Sequence, residues 1–455
     1  NTFFYMCHWE ILLKNKLTNL LFVSYSFKMK ENLLSPAYIA EAISCLVSKN
    51  KLWENKKVVI TVIANKTAGC FTHRKKSTKL KNILADAVLR NLSKPTVTQS
   101  VESKIYRTKY ANHARELTDA VIAEYAALDD DIVCLLVTAG GDGTCQEVQT
   151  ALIKAAYESE TKRNVVMNKI TILRLPLGTG NDGTDGHSLE ETIELLEGPL
   201  HFANAKAVKV YYEGNPTEEQ IKAYGKDPRK FSDKYDERIK DTPWFAFNIT
   251  SMGIDAYVAY LTDFIKKRLP GNFYHLCVPL SGLLYDPTFP PGTGRFELYD
   301  KDGNKTEEIT TPIEMFTVGA SGYRVYGGGH VIFPNHHNVC VTPKIGLLKL
   351  MLENHHFVDG SFGPDLATLH TAEKIKIYYD KPIIMETDGE TMLLVPEHFP
   401  LIMERTEPCI RILESDNQTI DKGTVRAEYV NVNVLKFKDF LYFSQYDGIK
   451  KISIV

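Results

Sequence analysis

Gly140-Gly141-Asp142-Gly143-Thr144 constrains this chain more than any other stretch. It follows the unbroken apolar run Ile132-Val133-Cys134-Leu135-Leu136-Val137. It leads into Glu147-Val148-Gln149-Thr150-Ala151-Leu152-Ile153, where apolar positions recur at helical spacing. A short apolar, β-branched run closed by glycines reads as a buried parallel strand. The pattern therefore predicts a strand, a glycine turn and a helix N-terminus. There, backbone N–H groups point outward and favour bound phosphate. The glycines let the backbone approach an anion, and Asp142 sets a carboxylate where a phosphate-bound Mg2+ would sit. An ordinary βα turn with a surface Asp is the plainer alternative.

Two more loops follow the same plan. Ile170 to Leu175 reads as a strand and runs into Pro176-Leu177-Gly178-Thr179-Gly180-Asn181-Asp182-Gly183. Gly178, Gly180 and Gly183 match G-x-G-x-x-G, but a dinucleotide fingerprint belongs in the first βα turn of its domain. This loop comes late and is rich in Thr, Asn and Asp, so the match reads as chance. Earlier, the strand Val58 to Ile63 ends in Ala64-Asn65-Lys66-Thr67-Ala68-Gly69. A Walker A loop is absent, because the one Gly-Lys pair, Gly225-Lys226, precedes Asp227.

In this order, the three loops resemble the diacylglycerol kinase catalytic-domain family, which includes sphingosine and ceramide kinases. The family's first motif is an Asn-Pro-x-Ser/Ala-Gly turn, with Lys66 here in place of the proline. Its second is GGDGT with the downstream Glu147. Its third is Pro-x-Gly-Thr-x-Asn-Asp, met by Pro176 to Asp182. Asp182 after Asn181 looks more like diacylglycerol kinases than sphingosine kinases. The likeness continues through Asn248 to Ala256, Gly327-Gly328-Gly329, Pro334 and Asp388-Gly389-Glu390, spanning roughly residues 57 to 415.

The resemblance implies that ATP meets Asn65, Lys66, Thr67, Ala68 and Gly69, Thr108 on the second strand, and Gly140, Gly141, Asp142, Gly143, Thr144, Cys145 and Gln146. Gly178, Thr179, Asn181 and Asp182 of the third loop complete that set. Asp142 is expected to bind Mg2+. The Asp-Gly-Glu turn is expected to face the γ-phosphate, with Asp388 as general base and Glu390 as its alternative or orienting partner. A plain Asp-Gly hairpin with solvated acids is the competing reading of that turn. Two departures stand out. Pro343-Lys344-Ile345-Gly346-Leu347 lacks the carboxylate of the family's Asp-Gly-x-Leu segment, and Lys344 brings its own charge where a structural cation would sit. Gly183-Thr184-Asp185-Gly186 replaces a small residue and Arg.

At 455 residues the chain exceeds one ordinary core. Residues 1–56 read as an extension and leading helix, 57–200 as an α/β nucleotide domain with a parallel sheet, and 201–400 as a β-rich sandwich or barrel. Residues 401–455 read as a segment returning to the first domain, and the active site falls in the cleft between the two domains. In the first domain the helices are expected at 35–50, 77–91, 113–127, 145–158 and 188–197, and the strands at 58–63, 96–105, 132–138 and 170–175. Short strands are expected at Trp244–Ile249, Arg295–Tyr299, Glu314–Val318, Val339–Thr342, Leu347–Leu352, Lys374–Tyr379 and Lys381–Met385. Glu213 to Asp241 reads as a charged surface insertion. Phe264 to Tyr274, with Lys266, Lys267 and Arg268, reads as an amphipathic helix on the β-domain, with docking on an anionic membrane as its alternative.

A net charge of −2 argues against nucleic acid as the main partner. Eight cysteines without a C-x-x-C pair suit a reducing cytoplasm. No run of 18 apolar residues spans a bilayer. Asn1 to Phe27 reads as an extension ahead of a start at Met29, with an interfacial anchor as the alternative. The leading expectation is thus a cytoplasmic, peripherally membrane-associated enzyme of lipid metabolism. It would transfer the γ-phosphate of ATP, with Mg2+, to a lipid hydroxyl, first of all that of diacylglycerol. A sphingoid-base kinase, an NAD kinase and an inactive nucleotide-binding regulator are the alternatives, and a homodimer stays open.

Overall fold

The structure is a computed structural model. It describes residues 33–129, 131–178, 181–220, 241–266, 274–327, 329–417 and 424–426. The expectations for the extension before residue 33, for Thr179, for most of the charged insertion, for Lys267 and Arg268 and for the chain after 426 lie outside the described residues.

The first domain is a doubly wound sheet. Its helices are α1 (Pro36–Val47), α2 (Arg74–Asn91), α3 (His113–Ala126), α4 (Asp142–Glu158) and α5 (Leu189–Glu197). Its strands are β1 (Lys57–Ala64), β2 (Ser100–Arg107), β3 (Ile132–Ala139) and β4 (Ile170–Arg174), parallel and in the order β2-β1-β3-β4. Alternation along the strands sorts the core into two layers. Val58, Ile60 and Val62 of β1 and Leu135 and Val137 of β3 pack with α1, α2 and α5. Val59, Ile63, Cys134 and Leu136 pack on the opposite face with α3 and α4. Ser35 caps α1 by accepting the Tyr38 N–H at 3.1 Å, with Pro36 at the first helical position. Strand order reverses between β1 and β3, so the crevice at their carboxyl ends is the place where such sheets bind ligands.

The chain then forms β5 (Leu200–Ala205), β6 (Val208–Tyr212), β7 (Trp244–Ala246), β8 (Ile249–Gly253), α6 (Ile254–Lys266), α7 (Tyr274–Thr288), β9 (Thr293–Tyr299) and β10 (Lys305–Gly319). After these come β11 (Val339–Pro343), α8 (Leu347–Asp359), β12 (Lys374–Tyr379), β13 (Ile383–Thr387), β14 (Glu390–Leu394), β15 (Leu401–Arg405) and β16 (Ile410–Ser415). Among the described residues, eleven strands form one curled sheet ordered β14-β13-β8-β10-β9-β12-β15-β6-β7, with β11 added on β10 and the short strand Thr368–His370 added on β11. The curl comes from β10. Its first half pairs with β9, its register slips near Ile313–Met315, and its second half pairs with β8 and β11. Burial along Lys374–Tyr379 alternates as its sequence does. β5 and β16 pair with each other, and Leu413 and Ile412 pack into the two layers of the first domain's core.

Two expectations need correction. Leu347–Leu352 is the start of helix α8, not a strand. Its apolar run is too short to carry a period, but Leu350 and Phe357 continue it at helical spacing, and Gly360 ends it at φ +75°. Trp244–Ile249 is two strands, broken at Phe247 and Asn248. Among the described residues no helix is long and apolar enough to cross a membrane.

Lys344 ties three elements of the second domain. Its Nζ donates to both Asp286 oxygens of α7 at 2.6 and 2.7 Å and to Glu314 Oε2 of β10 at 2.5 Å. Burial pushes the Glu314 carboxyl up, and the ammonium pulls it back. Two carboxylates converge here, and Lys344 is the cation between them. Lys344→Met is expected to cost roughly 3 kcal/mol in urea unfolding, since it leaves Glu314 buried without its partner. Adding Glu314→Gln should recover part of that loss. A Lys344→Met chain as stable as wild type would contradict the tie.

Candidate active site

All three glycine loops meet at the carboxyl end of the parallel sheet. After β1, Asn65 Oδ1 accepts the Thr67 N–H at 3.1 Å and its hydroxyl at 2.7 Å, the side-chain-closed turn that Asn favours. The Asn65 N–H donates to Ala139 O at 3.0 Å, joining this loop to the end of β3. Gly141 caps α4, and a Cβ on Gly140 would lie 2.5 Å from Thr144 Oγ1. The third loop lies backbone to backbone on this turn: a Cβ on Gly178 would sit 2.6 Å from the Gly141 Cα. Asn181, at φ +71°, accepts the Gly178 N–H on Oδ1 at 2.8 Å and donates its own N–H to both Asp142 oxygens at 3.0 and 3.1 Å. Glu147, one turn into α4, accepts the Asn112 and Ala114 N–H groups and so caps α3.

The second domain closes the cleft. Asp182 Oδ2 accepts the Gly327 N–H at 2.7 Å across it. Asp388 and Gly389, at φ +48° and +85°, form the two-residue turn between β13 and β14. The hairpin reading of Asp-Gly is therefore correct in backbone terms, but the acid is not solvated. Its carboxylate accepts the N–H groups of Phe247, Asn248 and Ile249 at 2.6, 2.9 and 3.1 Å. That is what splits β7 from β8. Burial nevertheless pushes Asp388 up to about 6. Beside it the carboxylate of Glu390 approaches the GGDGT turn, with Oε1 3.3 Å from where a Gly143 Cβ would lie.

A cavity of about 440 Å³ lies between these loops. Asn65, Thr67, Ala68, Gly69, Gly141, Asp142, Gly143, Cys145, Gln146, Gly178, Asp182, Asp388 and Glu390 line it, all of them expected from the sequence. Asn181, Gly140 and Thr144 stand behind the lining as supports. Lys66 is exposed outside the lining, and Thr108 is half-buried, its N–H on Ala64 O. Asp185 turns away from the cleft and pairs with Arg174, which also donates to Gln149. Lys76 donates to Gly178 O at 2.6 Å.

Sequence reasoning missed two acids on this wall. Asp255, in the first turn of α6, is 9% exposed, and burial pushes its carboxyl up to about 7. Its Oδ1 accepts the Ala256 N–H, whereas Oδ2 is buried with no hydrogen-bond partner among the described residues. Glu386 accepts from Ser251 Oγ at 2.9 Å and from the Gly389 N–H, and burial pushes it well above the usual carboxylate range. A lone Asp opening the otherwise apolar run Ala256-Tyr257-Val258-Ala259-Tyr260-Leu261 was the available signal. Asp255 and Tyr326 also line a second cavity of about 360 Å³, whose other walls are largely apolar side chains of α6, α7 and α8 such as Val258, Val278, Leu350 and Phe357. The lining of the first cavity holds seven carboxylates and, among the described residues, no Lys, Arg or His.

Close packing of the two loops gives a direct test. Gly178→Ala must separate the third loop from the GGDGT turn and is expected to cost about 1–3 kcal/mol in denaturant unfolding. Gly183→Ala, where an added Cβ meets nothing within 4 Å, should be near neutral. Equal effects would contradict the contact.

Residues 59–201 match a family model described as the diacylglycerol kinase catalytic domain. No curated protein matches the chain. Among solved structures, a diacylglycerol kinase from Bacillus anthracis str. Sterne is similar at 16% identity and a TM-score of 0.44, with 78% of this chain and 96% of that chain covered. A second structure from the same organism, of a protein proposed to be a diacylglycerol kinase, is similar at 18% identity and a TM-score of 0.48, with 78% and 94% covered. The resemblance carried by the glycine loops is thus borne out over residues 59–201, which match the diacylglycerol kinase catalytic-domain model.

Proposed function

We propose that this chain is an ATP-dependent lipid kinase that transfers the γ-phosphate to a hydroxyl held at the boundary of its two cavities. One observation carries this reading. Asp255 belongs to the walls of both the polar, loop-lined cleft and the apolar cavity. An amphipathic acceptor laid across that boundary has its chain among Val258, Val278, Leu350 and Phe357 and its hydroxyl beside a carboxylate. Diacylglycerol is the acceptor favoured by the family match, and a sphingoid base is the second reading, favoured by the acidic boundary.

A triphosphate suits the cleft only with a cation, because carboxylates line it and, among the described residues, no basic side chain does. Hard oxygen donors are the ligands Mg2+ takes, and Asp142 is the residue that would hold it, with Glu390 facing the same turn. Bound there, Mg2+ would neutralise phosphate charge. The chain's own groups position the reactants. Backbone N–H groups at the start of α4 face the phosphates, and Gly178 and Asn181 brace that turn.

The acceptor's proton needs a base whose affinity lies near working pH. The expectation placed it on Asp388. Both oxygens of Asp388 already accept backbone N–H groups, which makes that residue a holder of the turn. Asp255, at about 7 and with Oδ2 making no hydrogen bond among the described residues, is the better proton acceptor. Membrane association without insertion completes the reading. Phe264, Leu283 and Leu284 are exposed on α6 and α7, two of the helices around the apolar cavity.

Labelled ATP with a panel of lipids in mixed micelles tests the function. Transfer to a lipid hydroxyl is expected, and Asp142→Asn should abolish most of it while the fold persists. No transfer to any lipid, or near-normal turnover by Asp142→Asn, would contradict the reading. A base of pKa near 7 must be ionised to act, so kcat/KM should rise with pH and level off above about 7. Asp255→Asn should remove that limb and lower kcat about 10²–10⁴-fold, with ATP affinity nearly unchanged. The same pattern in Asp388→Asn, with Asp255→Asn mild, would return the base to the Asp-Gly-Glu turn.

A further inference from the structure

Helix α8 carries a group of side chains, outside the lining of the apolar cavity, that the kinase reading leaves unused. Glu353, His355 and His356 each offer one ligand atom, and those atoms all lie within 4.8 Å of one another. Leu350, Asn354 and Phe357 of the same helix face the cavity.

Hydrogen bonding fixes the tautomer of both imidazoles. Ser361 Oγ donates its single proton to Asp359 Oδ1 at 2.5 Å, so at 2.6 Å it can only accept from His356 Nδ1–H. His355 Nδ1 lies 3.0 Å from Leu352 O, an acceptor only, and must also carry its proton. In each neutral ring the lone pair is therefore on Nε2. His356 Nε2 lies 3.2 Å from Glu353 Oε2. A lone pair facing a carboxylate oxygen at that distance is repulsive unless something positive lies between them. That is either a proton, giving an imidazolium–glutamate pair, or a metal ion. Rings held through Nδ1–H by a hydroxyl or a carbonyl are the usual outer support of metal-binding histidines.

We propose that Glu353, His355 and His356 form a binding site for a divalent transition metal of the zinc class, with water completing the coordination. Two imidazoles and one carboxylate select Zn2+ over Mg2+. The site is thus chemically distinct from the oxygen-lined cleft. A metal there would fix the last turn of α8 and, through His356 and Ser361, the turn at Gly360 that follows it. Because α8 walls the apolar cavity, the metal would stiffen that wall without touching the reacting groups.

The probe is Zn2+ titrated into the full chain against a chromophoric chelator, with Co2+ as a spectroscopic substitute. One equivalent should bind, and Co2+ should give the visible bands of a nitrogen–oxygen site without thiolate charge transfer. His356→Gln and His355→Gln should each weaken binding at least tenfold, with the metal-free melting temperature unchanged. Ser361→Ala, which touches no metal, should weaken binding about tenfold by releasing the His356 ring. Thiolate charge transfer, or unchanged affinity in the His355→Gln/His356→Gln double variant, would overturn the site, as would an imidazolium pair that binds no Zn2+. None of these results depends on whether the chain phosphorylates a lipid.

Discussion

The third glycine loop is the joint on which the cleft depends. Its Asn181 N–H binds the Asp142 carboxylate, its Gly178 lies against Gly141, and its Asp182 accepts an N–H from Gly327 in the second domain. Within five residues the chain thus braces the phosphate turn and reaches across to the β-rich domain. Only residues without a Cβ, or with a short side chain that tolerates φ +71°, fit at Gly178 and Asn181. The local sequence is polar for that reason. Asn181 closes the loop by accepting the Gly178 N–H on its side-chain oxygen.

A second constraint is charge. Asp255, Glu386 and Asp388 are gathered at one wall of the cleft, and burial raises all three. For Asp255 and Asp388 the folded values of about 7 and about 6 lie above the unfolded value of roughly 3.9. The fold therefore holds their protons more tightly than the unfolded chain does. That support is complete below about pH 4 and fades as pH rises through 6 to 7. At neutral pH the wall opposes the fold, and carboxylates kept under such conditions suit a site that moves a proton or holds a cation.

Much of the first domain was legible because its signals are local. Strands buried on both faces give unbroken runs such as Ile132 to Val137, and the glycines fall where the strands end. The second domain was legible only in outline, since its long-range pairing leaves weaker marks. The slip in β10 at Ile313–Met315, which curls the sheet, has no sequence signature of its own. Leu347-Leu348-Lys349-Leu350 carries too few residues to separate a strand from a helix, and Gly360 was the overlooked stop. The Asp388 turn was found by its motif. That its carboxylate gathers three N–H groups from the junction of β7 and β8, about 140 residues earlier, could not be, because those donors appear only when β7 and β8 fold beside it. Asp255 escaped for a related reason. An Asp at the start of an apolar helix reads as ordinary capping until two cavities are seen to meet there.

A nucleotide site assembled from both domains is what the proposed function requires. Hydrogen exchange of the full chain, with and without ATP and Mg2+, reads this directly. Protection should rise together in the loop after β1, in the GGDGT turn, in the third loop and at the Phe247–Ile249 and Asp388–Glu390 segments of the second domain. Protection confined to the first domain, or absent from the GGDGT turn, would contradict it.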